Sequence, residues 1–217
     1  MRIAGLSEVS GVAVPTLKYY LREGLLHPGA VRAVNQAEYD DSHVRRVRLI
    51  RALLDLGNLG IADIARVLAA VDDDSVSVHD AFGVAQDAMV PARDRSAAAY
   101  AVAADEVDAF VRRHRLRVRP EAEVRWMLAD AMVAMRSAGW DLPLDSLDDR
   151  VPQALAEAEI ALSLVPAQDR VEQMEVSVIG TIASEVAVAA LRRMALEHAS
   201  WHRFGRRTRS PRHVSRP

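Results

Sequence analysis

The stretch that decides the fold is Gly11-Val12-Ala13-Val14-Pro15-Thr16-Leu17-Lys18-Tyr19-Tyr20-Leu21-Arg22-Glu23-Gly24-Leu25-Leu26. Ahead of it, Ser7 can cap a short helix that ends at Gly11, and Pro15 suits the first turn of a second helix running to Gly24. Two short helices joined by Gly11-Val12-Ala13 have the spacing of a helix-turn-helix. The second helix carries Thr16, Lys18, Tyr19, Tyr20 and Arg22 on a surface short of acids. Those groups suit a phosphate backbone, because cations release its counterions and hydroxyls donate hydrogen bonds that fix register. The same pattern fits a helical hairpin with Tyr19 or Tyr20 packed in its core.

Outward from that stretch, His27 to Tyr39 carries Pro28, Gly29 and Asn35 among short Val-containing runs, which suits a small β-hairpin. Asp41 or Ser42 can cap the next helix, whose apolar residues Val44, Val47, Ile50, Leu53 and Leu54 lead to Gly57. A fourth helix is expected over Ala62–Val71. Asp72-Asp73-Asp74-Ser75 then reads as a linker. Beyond it the apolar spacing is helical throughout, with helices expected over His79–Met89, Arg93–Leu116, Glu121–Ala138, Gln153–Val165 and Ala167–His202. In the last, Val171, Met174, Val178, Ile182, Val186 and Ala190 form one stripe, read as core or as a subunit interface. The expected architecture is mainly α: a winged helix-turn-helix over 1–71, a linker over 72–78, an all-helical dimerisation and effector domain over 79–203, and a disordered Arg-rich tail over 204–217.

The order of elements and several motifs resemble the DNA-binding domain of the MerR family of transcription regulators. Residues Gly11 to Leu26 parallel the family's turn, recognition helix and helix-ending Gly-Leu-Leu. The stretch Tyr39-Asp40-Asp41-Ser42-His43-Val44-Arg45-Arg46-Val47-Arg48 resembles its wing end and third helix, and Ile61-Ala62-Asp63-Ile64 its fourth. The resemblance implies a homodimer on promoter DNA that bends and underwinds the duplex when an effector binds, acting on RNA polymerase indirectly. It places Lys18 where the family's Arg-Tyr-Tyr motif has its arginine, with Tyr19 and Tyr20 as the tyrosines. It also implies DNA contacts from the wing residues Arg32 and Asn35 and supporting ones from Arg45, Arg46 and Arg48. Two departures stand out. Ala37 removes a cation usual in the family's wing, and Pro15 occupies a position where a base-reading side chain is common.

The 217 residues hold 28 Lys and Arg against 30 Asp and Glu, a net charge of −2 that conceals unlike parts. Residues 1–70 carry 9 bases and 7 acids, residues 71–191 carry 11 and 22, and residues 192–217 carry 8 and one. A polyanion would therefore meet the ends first. The absence of cysteine removes disulfides and the thiolate-based sensing of the family's metal and redox branches. No run of about 18 uncharged apolar residues occurs, so a cytoplasmic protein without membrane partners is expected.

No cofactor, metal site or catalytic motif is expected, and an enzyme is excluded on that reading. His198 and His202 lie one turn apart beside Glu197 but lack an evident third ligand. Tyr100, Trp126, Met127 and Trp140, with Met132 and Met135, could line a pocket for a small apolar effector; at helical spacing they equally suit plain core. Dimerisation is expected through the Arg93–Leu116 helix, the striped final helix, or both. A reading of another class makes the chain an adaptor, its winged domain serving to bind a partner protein.

Overall fold

The structure, a computed structural model, describes residues 1–33, 36–141, 143–166 and 169–205. Among these, 72% of the chain is helical and one two-stranded antiparallel sheet is present, so the mainly α class is met. The first helices are α1 (Ile3–Ser10) and α2 (Val14–Arg22), followed by strands β1 (Ala30–Ala33) and β2 (Gln36–Glu38). Then come α3 (Asp41–Asp55), α4 (Ile61–Asp72), α5 (Val78–Met89), α6 (Ala98–Arg113) and α7 (Glu123–Ser137). A 3-10 helix (Leu144–Arg150), α8 (Val151–Ser163) and α9 (Arg170–Phe204) complete the order.

Ser7 is not the cap of α1. The helix begins at Ile3 behind an extended Arg2, and Ser7 lies inside it. The chain start is pinned to the wing end: the Met1 ammonium donates to the Tyr39 carbonyl at 2.6 Å, and the Tyr39 N–H donates to the Met1 carbonyl at 2.7 Å. That double tie fixes the backbone early enough for a turn of helix upstream of Ser7. At the other end Gly11 sits at φ 70° and donates its N–H to the Ser7 carbonyl at 2.9 Å. A Cβ at Gly11 would meet no atom within 4 Å. Gly11→Ala should therefore cost only the left-handed backbone strain, about 1–2 kcal/mol, visible as a lower urea midpoint.

The cap of α3 is Asp40 rather than Asp41 or Ser42. Its carboxylate accepts from the Ser42 N–H at 3.0 Å, while His43 Nδ1 accepts the Asp40 N–H at 3.2 Å, a reciprocal capping box. The Ser42 hydroxyl, then His43, hold the Asp40 carboxyl far below the usual carboxylate range.

One core joins Leu6, Leu17, Tyr20, Val47, Ile50, Leu53, Ile64 and Leu68, all under 3% exposed. Ala81 and Ala85 of α5 and Met174, Val178 and Ile182 of α9 belong to the same cluster. A Cβ on Gly57 would stand 2.8 Å from the Leu53 carbonyl and 3.3 Å from Ile182 Cδ1, so the α3 exit is closed against α9. The linker expected at 72–78 does not separate two cores. Asp72 ends α4, and α5 packs back on the first core because its small face, Ala81, Ala85 and Ala88, permits close approach.

A second core gathers Ala103, Val107 and Phe110 of α6, Ala129 and Met132 of α7, and Leu144. Asp87 of α5 joins the two regions, accepting from Arg119 at 2.7 Å and from the Glu123 N–H at 2.9 Å. α6 starts at Ala98 instead of Arg93, since the Asp94 carboxylate accepts the Ser96 N–H at 3.0 Å and holds a turn there.

Met1–Ile182 forms one unit, and the described residues from Ala183 onward form another. The stripe foreseen on the last helix is core only as far as Ile182; Val186 is 47% exposed and Ala190 is exposed. α9 contains a window of mean hydropathy 1.6, long and apolar enough to cross a membrane by length and composition.

Candidate nucleic-acid interface

The turn between α1 and α2 opens into a groove of about 410 Å³ lined by Ser10, Gly11, Val12, Ala13, Thr16, Arg48 and Arg51. Three elements build it. α1 ends at Gly11, α2 begins after Ala13 with no side-chain cap, and α3 supplies the two arginines three residues apart. The uncapped start of α2 brings the partial positive charge of a helix N-terminus to the same groove. Ser10 is fixed by its hydroxyl, which donates to the Leu6 carbonyl at 2.6 Å. The arrangement suits an anion: the Thr16 hydroxyl and the start of α2 for hydrogen bonds, the guanidinium groups of Arg48 and Arg51 for charge.

Thr16 and Arg48 were expected at a DNA contact, and the fold brings them together. Arg51 was not singled out, although its spacing of three from Arg48 places both on one helix face. It pairs with Asp55 at 2.6 Å and is 49% exposed. Lys18 and Arg22 are exposed on α2, with the Arg22 guanidinium 5.1 Å from the Tyr19 ring centre and 3.4 Å from Glu23. Tyr19 is half-buried.

Three expected contacts take a different place. Tyr20 is 2% exposed and packs in the first core, because α2 turns this face toward α1 and α3. Arg46 is 4% exposed: its Nε donates to the Leu25 carbonyl at 2.9 Å, and its two terminal nitrogens grip the Asp72 carboxylate at 2.9 and 2.5 Å. Neither can meet a phosphate. Arg45, with 42% of its side chain exposed, is drawn to the buried Glu175 of α9 at 3.6 Å. Arg32 lies on β1, and Asn35 falls outside the described residues.

Burial pushes the Glu175 carboxyl up, against the pull of Arg45 and Arg46. The native state then holds this proton more tightly than the unfolded chain does. Its contribution to stability is thus full below the ordinary value of 4.5 and is lost as pH rises through the raised value. Glu175→Gln should remove that fall: the difference in urea midpoint between variant and parent should grow in the variant's favour from pH 4.5 upward.

The four residues expected at an effector pocket do not converge. Trp140 is 71% and Met127 57% exposed, since Met127 lies about 100° around α7 from Trp126 and Trp140 follows the helix end. Trp126 lines a cavity of about 90 Å³ with Ala104, Val107, Asp108, Pro120 and Arg125. The Arg95 guanidinium lies 5.3 Å from the Trp126 ring centre. The His198 and His202 rings meet edge to face at 4.5 Å, and among the described residues no three acids or histidines cluster as metal ligands would.

Fold and groove together define a winged helix-turn-helix protein. The family described as MerR HTH family regulatory protein matches residues 1–71, so this segment is a MerR-type helix-turn-helix domain. It is 35% identical over 85 residues to the HTH-type transcriptional regulator HmrR of Sinorhizobium medicae (strain WSM419), an alignment covering 39% of this chain and 57% of that protein. It is 33% identical over 70 residues to the HTH-type transcriptional regulator MerD of Acinetobacter calcoaceticus, covering 32% of this chain and 57% of that one. The chain thus spans little more than half the length of these relatives. The crystal structure of SCO5550 from Streptomyces coelicolor A3(2) is similar over 96% of this chain and 100% of that one, with a TM-score of 0.69 and 31% identity.

Proposed function

We propose that the protein is a cytoplasmic DNA-binding transcription regulator, not an enzyme, which binds promoter DNA as a homodimer through residues 1–71. The observation that carries this reading is the groove at the helix-turn-helix, where Thr16, Arg48, Arg51 and the start of α2 converge within the family-matched residues. Lys18 and Arg22 extend the same basic surface along α2. Residues 79–203 are assigned dimerisation and response to a small-molecule effector, with RNA polymerase affected through the shape of the promoter. The effector part rests on the family likeness; the cavity at Trp126 falls below the 300–1,000 Å³ of ordinary ligand pockets.

The test is titration of duplex DNA with the parent chain and with Lys18→Ala combined with Arg22→Ala. The double variant should bind every duplex more weakly by a similar factor, and its plot of log affinity against log salt should be shallower by about 0.9 for each phosphate no longer neutralised. Unchanged binding by the variant removes Lys18 and Arg22 from the interface, and a parent chain that binds no duplex overturns the DNA-binding reading in favour of the adaptor.

A further inference from the structure

Arg45, Arg48 and Arg51 follow one another at steps of three along α3, so each stands about 60° around the helix from the next. Arg48 and Arg51 line the groove at the helix-turn-helix, whereas Arg45 turns to the start of α9. That start is tied down in three ways. Met174, Val178 and Ile182 sit in the core that α3 helps to build, Arg170 donates to the Asp73 carbonyl at 2.6 Å, and Glu175 meets Arg45. The Glu175 side chain is 8% exposed, and its Oε2 lies 3.6 Å from Arg45 Nε. This is an ion-pair distance but too long for a hydrogen bond. The Arg45 Nε is itself buried and has no hydrogen-bond partner among the described residues. The contact therefore holds by charge, without the fork that fixes Arg46 on Asp72.

We propose that the start of α9 is an autoinhibitory strap: Glu175 keeps Arg45 from the DNA backbone, and opening their contact adds one cation per chain to the DNA-binding surface. The inference rests on the DNA-binding reading above and adds a competitor within the chain. A buried carboxylate attracts a cation more strongly than an exposed one does. The Arg51–Asp55 pair, half-exposed on both sides, gives way to a phosphate at little cost, and the Glu175–Arg45 pair does not. A phosphate offers Arg45 charge-assisted hydrogen bonds and counterion release. Accepting them leaves the Glu175 charge in the core without its partner, because Arg46 is committed to Leu25 and Asp72. That cost is set against DNA binding. A ligand that favours the open contact raises DNA affinity by the factor of its preference for that arrangement.

The test titrates full-length chains onto a labelled duplex at 50 and 200 mM salt, with helicity and urea midpoint measured for each variant. Glu175→Gln keeps the side chain's size and removes its charge. It should bind at least about tenfold more tightly than the parent at 50 mM salt, with a plot of log affinity against log salt steeper by about 0.9 for each Arg45 released. For a dimer the advantage should shrink about tenfold by 200 mM salt. Glu175→Met, neutral and of similar length, should give the same gain by a second route. In an Arg45→Gln chain, Glu175→Gln should raise affinity by less than about twofold, since no cation remains to be released. Glu172→Gln makes the same charge change one turn away at an exposed position and should alter affinity by less than about twofold. Unchanged affinity and slope in folded Glu175→Gln and Glu175→Met chains overturn the strap and leave DNA binding intact. A gain that survives Arg45→Gln, or that Glu172→Gln reproduces, overturns the assignment to Arg45 in favour of net charge. A parent chain that binds no duplex overturns the DNA-binding reading and the strap together.

Discussion

Arg46→Ala should lower the unfolding free energy by about 1–3 kcal/mol in urea denaturation at neutral pH. The side chain is 5% exposed and ties three elements at once: Leu25 just past α2, its own α3, and Asp72 at the end of α4. Its removal strands the Leu25 carbonyl and leaves the Asp72 carboxylate, 35% exposed, without its bidentate partner. Arg46→Lys keeps a charge but loses the planar fork, so an intermediate loss is expected. A loss under about 1 kcal/mol, the range of exposed ion pairs, would return Arg46 to the solvated face where the sequence placed it.

The second large effect is on DNA affinity. Lys18, Arg22, Arg48 and Arg51 are the exposed cations of the groove and of α2. If each meets one phosphate, a dimer makes eight such contacts, and the slope of log affinity against log salt is about −7. Affinity for duplex DNA should then fall about 10⁴-fold between 50 and 200 mM salt. A monomer with four contacts would lose only about 10²-fold over the same range. Fluorescence anisotropy with a labelled duplex distinguishes these cases, and a flat response would leave the winged domain to a protein partner.

Much of the fold was legible because local rules agree with tertiary demands in the first 71 residues. Gly11 ends α1 in the left-handed conformation only glycine adopts cheaply, and Pro15 starts α2, so the helix-turn-helix can be read from two residues. The wing follows from Pro28 and Gly29. The cap positions of α1 and α3 were misplaced because the Met1–Tyr39 tie and the Asp40–His43 box involve contacts that composition does not display. Arg45, Arg46 and Arg48 look alike in sequence. Helix geometry sends them to the α9 carboxylate, to Asp72 at the end of α4 and to the open groove, respectively.

By itself the sequence determined the class: mainly helical, with a basic helix-turn-helix of MerR type followed by acidic helices, because turn residues and apolar periodicity act over a few positions. Only the tertiary structure decided which cations are free to meet DNA and which hold the core together. It also decided that α5 and the first half of α9 complete the core of the winged domain while the second half of α9 stays uncovered. Those outcomes depend on which faces meet across 20 to 130 residues of chain, and burial at such separations is set by the packing of whole helices, not by local pattern.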